Sequence, residues 1–195
     1  MHRTARLAFV LAGALSLTAT ACGGSSHTGG ANGPVGNPTT TTATTSVSGG
    51  GTPKPIVAPQ DTSNTDGDQI QAAITQLKRQ SGVMVLSFTV TVVTMAQGHD
   101  NWQVAEFFSS IGAPHDLGDS VYGVYLLDSS NQKKYLVATD AQGNCACSTN
   151  LNDTFIKDGQ STALTATFAA PPPNVTSVDV NVPHFGPFLG VPISG

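Results

Sequence analysis

Two cysteines one residue apart, Cys145 and Cys147 in Asn144-Cys145-Ala146-Cys147-Ser148, are the most specific chemical signal in the 195-residue sequence. Such a pair can close a tight disulfide, stand as two thiols, or serve redox or metal chemistry. In a straight strand the Cα atoms of residues i and i+2 stand about 6.5 to 7 Å apart, at the edge of what a disulfide tolerates, so a bridge requires a bend at Gly143-Asn144. A four-Cys zinc site is excluded, because the chain holds three cysteines in all. His99-Asp100 and His115-Asp116 repeat a His-Asp dipeptide with Asp119 nearby, and two imidazoles with carboxylates are a ligand set for a divalent metal. Both pairs fall in loop-like sequence beside Gly98, Pro114 and Gly118, which reads better as solvated loop than as a metal site. A serine hydrolase needs a placed nucleophile, and no G-x-S-x-G elbow occurs. Glu106 is the one glutamate, which excludes a paired-Glu glycosidase. No glycine-rich phosphate loop precedes a helix. The expectation is a protein that is not an enzyme and uses no cofactor and no metal.

The third cysteine tells where the protein resides. Residues 1–21 read as a basic start, an apolar run from Leu7 to Leu17, and the small residues Ala19-Thr20-Ala21 ahead of Cys22. That is an export signal, and its apolar run is too short to span a bilayer, which takes roughly 20 residues. A cysteine after small residues and before Gly23-Gly24-Ser25-Ser26 resembles a bacterial lipobox, in which Cys22 carries the lipid. Ala19 stands where that motif usually has an aliphatic residue, and Ala19-Thr20-Ala21 is also a plain A-x-A cleavage site. Two acyl chains, typically including palmitate, anchor a protein stably where one is marginal. The expected partners are the membrane, through lipid on Cys22, and an envelope protein or wall component. With Cys22 lipidated, an even pair of cysteines remains in an oxidising compartment, which favours a Cys145–Cys147 disulfide.

Composition narrows the partners further. Only 10% of residues are charged and eight are Lys or Arg. Arg3 and Arg6 leave with the leader, so six basic residues face twelve acidic ones, a net charge of −6. No basic groove can be assembled from so few cations, so nucleic acid is not a partner. Residues 22–68 are Gly, Thr, Ser, Pro and Asn with little to bury and read as a flexible linker, including the run Thr39 to Thr45. Forty-odd flexible residues span roughly 35 to 40 Å, enough to hold a domain off a membrane. The remaining domain, 69–195, is one modest folding unit.

The elements that would position any site alternate in hydrophobicity. Leu86, Phe88, Val90 and Val92 share one face with Ser87, Thr89 and Thr91 on the other; Leu164-Ala166-Phe168 and Val178-Val180-Val182 repeat the pattern. Val104 to Phe108, Val121 to Leu127 and Lys134 to Ala138 are further candidate strands, the last two separated by Asp128-Ser129-Ser130-Asn131. Ile70, Ala73, Ile74 and Leu77 recur at helical spacing with Asp66 or Asp68 as a cap, yet Ser81-Gly82 leads into the strongest strand as a hairpin turn would. The aromatics Trp102, Phe107, Phe108, Tyr122, Tyr125 and Tyr135 read mostly as core, and Phe185 and Phe188, among Pro183, Pro187 and Pro192, as the covering of a terminal edge. The whole predicts an all-β antiparallel sandwich.

The stretches Asp140-Ala141-Gln142-Gly143-Asn144-Cys145-Ala146-Cys147-Ser148 and Phe168-Ala169-Ala170-Pro171-Pro172-Pro173-Asn174-Val175-Thr176-Ser177-Val178-Asp179-Val180 resemble a domain of actinobacterial envelope lipoproteins. A D-x-x-G-x-C-x-C-S loop there precedes F-x-A-P-P, V-T-S-V-D-V and a Pro-Phe tail, matched here by Val182-Pro183-His184-Phe185-Gly186-Pro187-Phe188. Similar domains occur alone or ahead of OmpA-like domains. The resemblance implies an immunoglobulin-like β-sandwich, similar in kind to telokin-like secreted antigens, and no activity. The expected function is a non-catalytic module tethered to the extracytoplasmic face of the cell membrane. The alternative is an envelope thiol-redox or metal-dependent enzyme using Cys145 and Cys147 or the His-Asp loops.

Overall fold

The computed structural model describes residues 53–108 and 117–195. The leader, Cys22 and the His115-Asp116 pair lie outside the described residues. The elements run β1 (Gln60–Ser63), β2 (Gln69–Gln80), β3 (Val83–Thr94), β4 (Trp102–Gln103), the single turn α1 (Ala105–Phe108), β5 (Tyr125–Asp128), β6 (Lys133–Leu136), β7 (Phe155–Ile156), β8 (Ser161–Ala169), β9 (Ser177–Val182) and β10 (Gly186–Pro192). Two four-stranded sheets form, ordered β1-β2-β3-β8 and β10-β9-β5-β6, with a small β4-β7 pair beside them. Every strand pair is antiparallel. One continuous core joins Ile70, Ile74, Leu86, Phe88 and Phe168 of the first sheet to Leu126, Val180, Phe188 and Val191 of the second. The fold is an all-β antiparallel sandwich of two four-stranded sheets around one core.

β2 and β3 form the longest hairpin because Ser81 (φ 49°) and Gly82 (φ 84°) both adopt positive φ, the two-residue type I′ geometry that matches strand twist. The segment with helical spacing is strand. Its spacing comes from a β-bulge: Ile74 pairs with Phe88 and Gln76 with Ser87, so Thr75 has no opposite residue. Ile70, Ala72 and Ile74 point inward on even positions, the extra residue shifts the parity, and Leu77 points inward on an odd one. A strand with one bulge thus imitates i, i+4, i+7.

Three boundaries differ from the sequence reading. Val104 to Phe108, expected as strand, turns through α1, and Val104, Ala105, Phe107 and Phe108 are all buried there. In Val121 to Leu127 the first half is a 3-10 turn, Val121–Gly123, capped by the Ser120 hydroxyl, which accepts from the Tyr122 N–H. The linker assigned to 22–68 runs too far: β1 lies within it, paired from Gln60↔Ala72 to Ser63↔Gln69, and the Ile56 N–H donates to the Ile74 carbonyl at 2.9 Å. An edge strand is held by main-chain hydrogen bonds, which a polar sequence forms as well as an apolar one.

The outer edge of β2 is thereby closed in three pieces. Ile56 covers Ile74, β1 covers the start of the strand, and near its end the Ser194 N–H donates to the Leu77 carbonyl while the Arg79 N–H donates to Ser194. At the other end of the sandwich lie the β1–β2 turn and the loop leaving β3.

Candidate functional site

The β1–β2 turn is built by Asn64. Its side-chain oxygen accepts from the backbone N–H of Asp66 (3.1 Å) and Asp68 (2.9 Å), an Asx turn that brings Gly67 to φ 96°. Asp68 is thereby fixed at the mouth of β2, 1% exposed, with every oxygen engaged. It accepts from the Ala96 N–H at 2.7 Å, from the Asn64 amide at 2.9 Å, and from His99 Nδ1 at 3.1 and 3.2 Å. Burial alone raises this carboxyl, but the hydrogen bonds from Ala96, His99 and Asn64 together outweigh it and hold Asp68 below the ordinary carboxylate value. The Asp68 hydrogen bond in turn raises His99 above the ordinary imidazole value. With Nδ1 committed to Asp68, the geometry sets the tautomer and leaves His99 Nε2 for solvent or a ligand.

These residues wall a recess of about 360 Å³ lined by Asn64, Asp66, Asp68, Gly98, His99, Asp100, Asn101, Trp102, Gln103 and Glu106. Four carboxylates and three carboxamides face it, with neither Lys nor Arg. Asp66, Asp100 and Glu106 are exposed. The recess is therefore electronegative and selects against anions. No serine, threonine, cysteine, tyrosine or lysine lines it among the described residues. Among the described residues no group of three or more His, Cys, Asp and Glu is arranged to hold a metal ion.

The structure distributes the other candidate residues elsewhere. His99 and Asp100 line the recess together with Glu106, whereas Asp119 serves through its carbonyl, accepting from the Leu151 N–H. Cys145 and Cys147 lie at disulfide distance with Cα atoms 5.2 Å apart. They lie outside the recess, at the place where the chain changes partners: Cys145 bridges Thr139 and Cys147 bridges Ala166 of β8. The preceding loop is organised by Asp140, which accepts from the N–H of Gln142 and Asn144. Phe107 and Phe108 are core as expected, and Trp102 is buried while contributing to the wall of the recess.

Asn64 and Asp68 were not legible as site residues. The one signal for them is the turn-forming run Asn64-Thr65-Asp66-Gly67-Asp68 between two strands, which places alternate polar side chains on one side of a turn.

No family model and no curated protein matches the sequence. A solved structure that aligns with it is MPT63, a secreted protein from Mycobacterium tuberculosis, 14% identical over an alignment covering 72% of this chain and 92% of that one, with a TM-score of 0.39.

Proposed function

We propose that the protein is a non-catalytic lipoprotein of the bacterial cell envelope, anchored through lipid on Cys22, that presents the acidic recess to an envelope component. The observation that carries this reading is the polarity of the domain. The described chain first pairs with the sheet at Ile74, midway along β2, through the Ile56 hydrogen bond, whereas the recess is built around Asp68 at the start of that strand. Six strand positions separate the two, about 20 Å at the usual rise. The recess therefore stays clear of the place where the described chain first pairs with the sheet.

The test is intact mass of the mature protein with fractionation of cells producing the native chain and Cys22→Ser. The expected result is a diacylated N-terminus at Cys22 in the membrane fraction, and release of the variant. A native protein lacking the lipid mass overturns the anchoring. Crosslinking on intact cells then identifies what is bound, and recovery of no reproducible partner or wall fragment overturns the binding role. The rival thiol-redox or metal-dependent enzyme would carry a transition metal at one per chain, or a cysteine pair reducible in the range of catalytic thiol proteins.

A further inference from the structure

We propose that the edge of the sandwich where the described chain enters seats against a lipid bilayer, with Leu189 entering the headgroup boundary. The proposal rests on the tethered reading above and names a second surface, apart from the recess. β1 and β10 are outer strands of their two sheets, and a groove of about 220 Å³ is lined by Val57, Ala58, Gln60, Pro187, Phe188 and Leu189. This lining is apolar except for Gln60 and carries no charged side chain. Phe188 is buried, whereas Leu189 is 70% exposed, the most exposed large hydrophobic among the described residues. That exposure is built into the strand. The register slips between Phe188↔Val180 and Val191↔Val178, so Leu189 and Gly190 together face Asp179. Asp179 Oδ1 accepts the Gly190 N–H at 2.8 Å, with Gly190 at φ 61°. Bulges re-aim side chains, and this one sends Leu189 outward between the buried Phe188 and Val191.

Three observations favour a bilayer as the occupant. The first is position in the chain. The described residues begin at Pro53, four positions before Val57, and residues 23–52 are all that separates Pro53 from the lipid proposed on Cys22. Thirty residues reach at most about 100 Å, so the bilayer stays near, and a tether turns a weak contact into an intramolecular one. The second is charge. Lys54 is exposed and is the one charged residue in 53–59, beside a groove lined by no carboxylate, so anionic headgroups are attracted at this edge. Asp179 of the bulge has both oxygens engaged, by Gly190 and by the Ser129 hydroxyl. The third is what the edge disfavours. Pro187 and Pro192 deprive β10 of two N–H groups, so an added β-strand meets a broken ladder. Val57, Ala58, Pro187 and Leu189 are the apolar lining residues with appreciable exposure, far fewer than the roughly 20 to 30 residues per side of a stable protein interface. A fluid apolar phase needs neither a ladder nor a matched surface, and it accepts an inserted leucine with a lysine at the headgroups.

The test uses the chain from residue 22 with Cys22→Ser, which carries no lipid, cosedimented with vesicles of phosphatidylcholine containing phosphatidylglycerol. Partitioning should saturate with lipid, and Leu189→Asp should lower it about tenfold or more. Lys54→Gln should lower it about fivefold on these vesicles and leave it unchanged on phosphatidylcholine alone. Both side chains are exposed, so both variants should keep the parent's urea midpoint. The control is Leu136→Asp, because Leu136 is 58% exposed on β6, at the opposite edge of the same sheet, and should change partitioning by less than about twofold. A chain that stays in the supernatant at every lipid concentration overturns the proposal. Equal loss from Leu136→Asp overturns it in favour of non-specific adsorption. A lipid-free dimer that Leu189→Asp dissociates in sedimentation velocity overturns it in favour of an interface between copies. Absence of partitioning alongside a diacylated Cys22 in the native chain refutes the bilayer contact alone, whereas partitioning without lipid on Cys22 refutes the anchoring and leaves the contact standing.

Discussion

Replacing Asp68 with alanine should remove about 3 kcal/mol of stability, although the residue belongs to no core cluster. The carboxylate accepts from the Ala96 N–H at 2.7 Å, and a hydrogen bond to a charged acceptor is worth about 1.5 to 3 kcal/mol. The Asn64 amide at 2.9 Å is only half-buried and regains water, so it adds about 0.5 to 1 kcal/mol, and the His99 ring at 3.1 Å is exposed. The assay is urea unfolding followed by Trp102 emission. With a slope of about 1.5 to 2 kcal/mol per molar for a domain of this size, the midpoint should fall by about 1.5 to 2 M. Asp100→Asn is the control on the same recess. Asp100 is exposed and accepts no side-chain hydrogen bond among the described residues, so its midpoint should shift by less than about 0.3 M, within the usual range for surface changes. If Asp68→Ala falls no further than Asp100→Asn, the Asp68 hydrogen bonds do not hold the two loops together and the recess is not a built structure.

Three further outcomes are expected. The His99 imidazole, raised above its ordinary 6.5 by Asp68, gives stability that is complete below pH 6.5 and lost as pH rises through the elevated folded value. The gap between native and His99→Asn unfolding energies should shrink over that window, and an NMR midpoint for His99 below 6.5 would refute the pairing. Asp68, held below its ordinary 3.8, contributes above pH 3.8 and loses that contribution as pH falls through the lowered value, so Asp68→Asn should flatten the acid limb of the stability curve. For the cysteines, thiol titration of the denatured chain should find neither Cys145 nor Cys147 free. Cys145→Ser with Cys147→Ser should cost only about 1.6 kcal/mol, the chain-entropy value for a three-residue loop, and two titratable thiols in the native chain would reject the bridge.

The strands were legible where one face is buried and the other wet, since alternation in Leu86 to Val92, Leu164 to Phe168 and Val178 to Val182 survives as inward and outward positions in the sheets. Periodicity misled where geometry departs from regularity. The unpaired Thr75 converts a period of two into a helical-looking spacing, and α1 buries both parities of a short apolar run. β1 was hidden because an edge strand needs main-chain partners more than apolar side chains. Of the recess, the sequence singles out His99 and Asp100 as loop residues and Glu106 only as the one glutamate. Asn64 and Asp68 are not singled out as part of it, because they meet those residues only through strand pairing and a turn, and no local pattern announces a contact made across 31 positions, as between Asp68 and His99.

The way the chain enters at Ile56 and runs into β1 has a mechanical consequence. Under the tethering proposed above, a pull on the chain at Ile56 against the recess would run nearly parallel to the strands, because Ile56 pairs with Ile74 midway along β2 and the recess lies at the start of that strand. The first hydrogen bonds to feel it are those joining Ile56 and β1 to β2, from Ile56 to Ser63. Ladder bonds in an antiparallel pair stand perpendicular to the strands, so such a pull shears the whole set at once instead of peeling it bond by bond. If the protein is tethered as proposed, the polar residues from Gln60 to Ser63 would clamp the end of the linker, and a pull on it would be spread along the edge of the sheet before it reached the core.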